Sequence, residues 1–247
     1  MGFVYEQDAF ALGFQGRDPS VGAFFGLLVG DVFAAKGVFA LSKLRLQHSD
    51  VCFEIIDDLL GLLDHLKLDR AIIVGHSYGG WPISGAAERL VGKIASIVYV
   101  DAFVPENGQR GMDLSSAQFR QALQEAIAKG EAGRPVPDAN VFKIIEPRDV
   151  RCVQSKMTPQ PTFVSTSPIA LTGARERIAR KTYIRATGYP QPAFDGYLAA
   201  AKADRSWRTF ELSARESGHD IMVDAPRRLA EILVEVRATT LEGKKKE

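Results

Sequence analysis

The chain has 247 residues, with 31 Lys and Arg against 30 Asp and Glu, 46% hydrophobic residues and two cysteines. A single α/β domain of this length buries roughly three quarters of its unfolded surface, while the near balance of charge excludes the electrostatic footprint of a nucleic-acid or acidic-membrane binder. Cys52 and Cys152 have neither C-x-x-C nor Cys/His spacing, which excludes a disulfide framework and a zinc site and predicts two buried free thiols.

In chain order, the opening Met-Gly-Phe-Val-Tyr-Glu lacks the Ser or Thr of a myristoylation signal. The apolar segment VGAFFGLLVGDVFAAKGVFAL from Val21 is interrupted by Asp31 and Lys36. It therefore falls short of the roughly 20 apolar residues of a membrane span, and it lacks the basic flank of a signal peptide. It predicts a core helix running into a strand, VFAL, from Val38. In FEIIDDLLGLLDHL from Phe53, residues Ile56, Leu59, Leu60 and Leu63 recur at helical spacing. Four further apolar runs suit buried parallel strands: AIIVG from Ala71, IASIVYVD from Ile94, TYIRAT from Thr182 and RTFEL from Arg208. Pro226 opens a last helical pattern, RRLAEILVEVRATTL, and the closing GKKKE reads as a solvated tail. Strands and helices alternate, so a mostly parallel sheet with helices on both faces is expected.

Residues 106–180 break the alternation. They are too many for a plain crossover and contain an amphipathic pattern from Ser116, with Phe119, Leu123 and Ile127 on one face. The expected organisation is a first core part, 1–105, an inserted helical lid, 106–180, and a second core part, 181–247. Such a lid would cover the carboxyl edge of the sheet, where open α/β sheets bind ligands.

Between AIIV and a helix rich in small residues (Gly80, Ser84, Gly85, Ala86, Ala87) stands Gly75-His76-Ser77-Tyr78-Gly79. In G-x-S-x-G the serine sits on a strained strand-to-helix turn that lifts its hydroxyl above the sheet. The helix is expected to begin at Ser77, turning its free N–H groups and dipole toward the serine oxygen. A serine needs a base, and histidine is the usual one at neutral pH. Of the four histidines, His76 adjoins the serine, where neighbouring side chains point apart, while His48 and His65 fit surface roles. His219, in the loop LSARESGHDIMVDAP after the last strand, reaches the same rim as Ser77. For the carboxylate that orients the base, Asp101 closes an apolar strand and would be costly to bury unpaired. It is favoured over Asp195, which belongs to a helix start. Asp220 and Asp224 read as local, Asp224 as an N-cap. The backbone N–H of Tyr78 is the oxyanion donor that can be placed. Phe103, Phe119, Phe142, Met157 and Phe163 are candidates to line an apolar acyl or alcohol pocket.

Four stretches, VGHSYGG, YVDAFVPENGQ, MTPQPTF and SGHDIMVDAPRRLAEIL, resemble the α/β-hydrolase superfamily, in the group of salicylate-type esterases, hydroxynitrile lyases and bacterial esterases. The similarity runs from about Asp50 to near the end. It implies an α/β-hydrolase fold and a serine hydrolase acting on small or apolar carboxylic esters through an acyl-enzyme, with Ser77 as nucleophile, His219 as base and Asp101 as acid. It implies no cofactor and no metal. The expected partner is a small-molecule ester, with no nucleic acid and no membrane; a homodimer is left open, and the expected compartment is the cytoplasm. The usual acid position after the later strand reads ATGYPQP, without a carboxylate before Asp195, which again favours Asp101. Members of the superfamily open with a strand ending in His-Gly, whose loop gives a second oxyanion donor, whereas this chain reads FVYEQDAFALGFQGRDPS. Residues 1–45 are thus atypical, as in a divergent or damaged gene start. Loss of one donor would cost about 100- to 1000-fold in turnover. The alternatives are a receptor-like or inactive hydrolase fold and, ranked lower, a hydroxynitrile lyase. Family lyases carry a lysine after the base histidine, where Asp220 stands here.

Overall fold

The computed structural model of the chain describes residues 2–5, 25–27 and 51–242. The elements are β1 (Gly2–Tyr5), β2 (Phe25–Leu27), α1 (Val51–His65), β3 (Ala71–Ser77), α2 (Gly80–Arg89) and β4 (Ile94–Ala102). After these come α3 (Ala117–Ala128), β5 (Gly133–Arg134), α4 (Pro147–Lys156), β6 (Gln160–Pro161), β7 (Lys181–Ala186), α5 (Pro192–Ala203), β8 (Trp207–Leu212), α6 (Ile221–Asp224) and α7 (Pro226–Glu242). The six-stranded sheet has the order β2-β1-β3-β4-β7-β8. Strands β3, β4, β7 and β8 run parallel, and β1 is antiparallel to β3.

The β-branched residues of β3 and β4 suit a pleated surface covered on both sides, and their alternation divides the core in two. Ile73, Ile97, Tyr99 and Tyr183 face Ile56, Leu59 and Leu63 of α1, Trp81 and Ala86 of α2, and Leu198 of α5. Ile72, Val74, Val98, Val100 and Ile184 face Ile221 of α6 and Leu229, Ile232 and Val236 of α7. A leucine or isoleucine so buried contributes about 1.5–3 kcal/mol relative to exposure. Helix α1 ends in a Schellman turn: Lys67 takes a left-handed conformation (φ 52°), its N–H donates to Asp64, and the N–H of Leu68 donates to Leu63 (2.9 Å).

The insertion between β4 and β7 contains α3, α4, short 3-10 turns and the two-residue antiparallel ladder β5–β6. Ser116 caps α3 by accepting from the N–H of Phe119 (3.1 Å); Leu123 is buried as the periodicity predicts, together with Ala126. The far end of the insertion is held to α2 by Glu88. Its carboxylate accepts from the N–H and hydroxyl of Thr172 (2.6 and 2.7 Å) and from the N–H groups of Ala174 (3.1 Å) and Arg175 (2.7 Å). Burial alone would raise the Glu88 pKa, but these donors outweigh it and hold the group below its ordinary value.

Two expectations about the fold need correction and three fall outside the described residues. Phe25–Leu27, inside the segment read as a helix, pairs as a strand with β1; ladder pairing prevails there over an apolar run that fits either state. Cys152 is exposed on α4, not buried, because every residue of that helix points at least partly to solvent. The strand from Val38, His48 and the segment that stands where superfamily members carry His-Gly lie outside the described residues. Among the described residues no helix is long and apolar enough to cross a membrane.

Candidate active site

Ser77 ends β3 with φ 54°, in the left-handed region that a residue bearing a Cβ occupies only at a cost of about 1–3 kcal/mol. The turn is closed by the N–H of Gly79 donating to His76 O (2.7 Å). It is also crowded: a Cβ on Gly75 would stand 2.5 Å from Gly79 O, so only glycine lets the strand end and the helix start approach. The helix starts three residues later than expected. Helix α2 begins at Gly80 with Gly79 as its cap, because Ser77 belongs to the strand ladder and its positive φ cannot be part of a right-handed helix. Tyr78 lies between the two, at the amino end of α2; its hydroxyl donates to Val164 O of the insertion (3.0 Å) and its ring stacks on Trp81.

Asp101 is brought inward by a β-bulge. The register of β3 on β4 pairs His76 with Val100 and Ser77 with Ala102, so Asp101 is the extra residue, with φ 41°. A bulge bends its strand and re-aims a side chain, and here it directs a wholly buried carboxylate to three donors. Oδ1 accepts from Arg185 Nη1 (2.8 Å) and from the N–H of Ala186 (3.0 Å). Oδ2 lies 2.7 Å from His219 Nδ1.

His219 is 3% exposed, in the loop between β8 and α6, and its Nε2 lies 2.9 Å from Ser77 Oγ. With the Asp101 carboxylate on one side, Nδ1 carries the proton and Nε2 accepts from the serine hydroxyl. The loop is fixed from the insertion: the N–H of His219 donates to Phe142 O (2.8 Å), and a Cβ on Gly218 would come within 2.1 Å of Lys143 O. Aromatic rings surround the imidazole, with Tyr189 at 4.3 Å, Phe142 at 5.8 Å and Phe194 at 5.9 Å between centroids. Phe103 packs edge-on to Trp81 and Phe194, whereas Phe119 lies under Arg134, within the insertion.

The structure thus brings Ser77, His219 and Asp101 together and leaves Asp195 apart. Asp195 sits in the first turn of α5, is 61% exposed and binds Arg185. His65 is exposed at the end of α1. His76, expected to point away, instead packs beside His219: its ring lies 4.4 Å from that of His219, and Nε2 donates to His219 O (3.0 Å). A bend at the strand end, where Ser77 leaves extended geometry, removes the opposition of neighbouring side chains. Asp224 is no N-cap by its side chain. It ends α6, and its carboxylate accepts from the N–H groups of Gly218 (2.8 Å) and Ile145 (3.0 Å), joining the histidine loop to the insertion. Arg185 was missed. The available signal was an arginine inside an apolar strand, which demands a counter-ion as Asp101 does.

Burial, followed by the neighbouring His219, pushes the His76 pKa well below its ordinary 6.5. Burial raises that of Asp220, whose carboxylate lies 3.6 Å from His76 Nε2. A depressed histidine contributes stability fully above about pH 6.5 and loses it as pH falls toward the folded value. The melting temperature is therefore expected to fall between pH 7.5 and 5.5, and His76→Gln to flatten that slope; an equal slope in the variant would contradict the assignment. His76, His219 and Asp220 also form the one cluster of metal-ligand type among the described residues, with ligand atoms within 4.8 Å of one another. Those donors are committed: Nε2 of His76 to a carbonyl, and both nitrogens of His219 to Ser77 and Asp101.

Comparisons with known proteins agree with this architecture. A carbendazim-hydrolysing esterase of Nocardioides sp. (strain SG-4G) is 35% identical over 189 residues, spanning 72% of this chain and 76% of the relative. Putative methylesterase 14, chloroplastic, of Arabidopsis thaliana is 25% identical over 197 residues, spanning 72% of this chain and 55% of the relative. Among solved structures, an extracellular α/β-hydrolase from a Paenibacillus species is described as sharing structural and functional homology with tobacco salicylic acid binding protein 2. It superposes with a TM-score of 0.64 at 20% identity, over 75% of this chain and 79% of its own. The sequence model of the alpha/beta hydrolase family matches residues 12–232, and the chain belongs to that family.

Proposed function

We propose that the protein is a serine hydrolase of carboxylic esters. The observation that carries the reading is the continuous contact from Ser77 Oγ to His219 Nε2 (2.9 Å) and from His219 Nδ1 to Asp101 Oδ2 (2.7 Å). In the first half-reaction His219 takes the hydroxyl proton while Ser77 Oγ attacks the ester carbonyl. The tetrahedral oxyanion accepts from the N–H of Tyr78, at the amino end of α2 where the helix dipole favours negative charge. Collapse breaks the ester C–O bond, and His219 returns its proton to the departing alcohol. In the second half-reaction water gives a proton to His219 and attacks the acyl-serine; the acid leaves and Ser77 recovers its proton. Asp101 keeps the imidazole in the Nδ1–H tautomer and stabilises the transient imidazolium.

Residues 106–180 act as a lid in this proposal. Val164 O receives the Tyr78 hydroxyl and Phe142 O receives the His219 N–H, so the insertion touches both nucleophile turn and base loop. The aromatic surroundings of His219 favour a small or apolar ester. The esterase relatives argue against the receptor-like and lyase alternatives. The cytoplasm as compartment belongs to the same proposal.

Turnover of p-nitrophenyl acetate and butyrate, a methyl ester and carbendazim tests the reading. Saturable hydrolysis of at least one is expected, without cyanide release from mandelonitrile. No hydrolysis of any, or cyanide release above background, would overturn it.

A further inference from the structure

Arg185 is an arginine on β7, between β4 and β8 of the sheet, and is 1% exposed. Its donors are all engaged. Nη1 reaches Asp101 Oδ1 (2.8 Å) and Ala186 O, Nη2 reaches Tyr189 O (2.7 Å), and Nε reaches Asp195 Oδ1 (2.9 Å). One guanidinium therefore touches the buried carboxylate that faces His219, a carboxylate at the surface, and the backbone of the residue whose ring stacks on His219 at 4.3 Å. It also decides which oxygen faces the base: with Arg185 and the N–H of Ala186 on Oδ1, Oδ2 is left for Nδ1.

We infer that Arg185 is a positioning residue of the site: by holding Oδ1 of Asp101 it locks the carboxylate so that Oδ2 faces His219 Nδ1. The inference rests on the serine hydrolase reading. Asp195 holds the Nε edge of the same guanidinium from the surface. The other groups facing the base are His76 from β3, the adjoining Asp220, the Tyr189 ring from the β7–α5 loop, and Asp224 beneath Gly218. Facing Arg185 are the Phe194 ring at 5.7 Å and the hydroxyl of Tyr183, which donates to Ala102 O.

Steady-state kinetics with p-nitrophenyl butyrate, together with the NMR signal of the His219 Nδ1 proton, tests this in Arg185→Met, Arg185→Lys and Asp195→Asn. Arg185→Met is expected to lower kcat about 10- to 100-fold with KM changed by less than about twofold, and to lose the Nδ1 proton signal. Arg185→Lys keeps a charge against Oδ1 and is expected to recover most of both. Asp195→Asn, a change at an exposed carboxylate, is expected to lower kcat about two- to threefold, and it decides the matter if Arg185→Met does not fold. A kcat and an Nδ1 proton signal unchanged in the folded variants, with only stability reduced, would reduce Arg185 to a structural ion pair and overturn the inference. A proton signal that changes as stated in a protein without ester turnover would instead strike the hydrolase reading alone.

Discussion

Asp101→Asn is expected to lower kcat about 10⁴-fold and to destabilise the fold by about 3 kcal/mol. The two losses have separate causes. An asparagine can offer its NH₂ to His219 Nδ1, which selects the tautomer with the proton on Nε2 and leaves Ser77 without an acceptor. The stability loss arises because Asp101 is fully buried against Arg185, itself 1% exposed, and its neutralisation leaves a buried guanidinium with only Asp195 as counter-charge. Breaking one side of a buried ion pair costs about 3–5 kcal/mol, and the remaining partner places this case at the lower end. The urea midpoint and the turnover of p-nitrophenyl butyrate measure both. Asp195→Asn is the control, with a loss of less than about tenfold, since that carboxylate is 61% exposed and contacts Arg185 rather than the base. Equal losses in the two variants would mean that the orienting acid has been misassigned.

Ser77→Ala is expected to abolish turnover, by about 10⁴- to 10⁶-fold, with stability changed by less than about 1 kcal/mol. Alanine keeps the backbone demand of the turn, φ 54°, and removes only the hydroxyl that bonds His219. Ser77→Gly separates the two aspects of this position. It is equally inactive, yet it is expected to be more stable than Ser77→Ala by about 1 kcal/mol, because glycine occupies the left-handed region without a Cβ clash. A glycine variant less stable than the alanine variant would argue that the strain is carried elsewhere.

What could be read in advance, and what could not, follows from the range of the interactions. Strands β3, β4, β7 and β8 were visible because a run such as AIIV or SIVYV carries its own pattern of burial, and Leu63 or Leu123 falls on its helix face by local spacing alone. Ser77 was visible because the glycines around it answer a local crowding. Asp101 and His219 were reached by a different argument, that a costly charge and a loop histidine at one sheet edge need partners. Arg185 meets Asp101 across 84 residues, and that pairing has no local signature. The same cost argument applied to TYIRAT would have raised the question. The bulge that turns Asp101 inward is a property of two strands in register, so the period-two pattern of β4 gives no sign of it. His76 was misplaced because the rule of alternation was extended past the point where the strand bends. The clasp formed by Asp224 needs the insertion in place before it has anything to hold.

The central claim is that Ser77 is an activated nucleophile, and covalent labelling reads that without reference to any substrate. A fluorophosphonate probe, followed by intact mass and peptide mapping, is expected to add one phosphonyl group to the wild-type protein, on the peptide containing Ser77. The same probe is expected to add none to Ser77→Ala or His219→Ala. Absence of an adduct on the folded wild-type protein, or an adduct that persists in Ser77→Ala, would contradict the account.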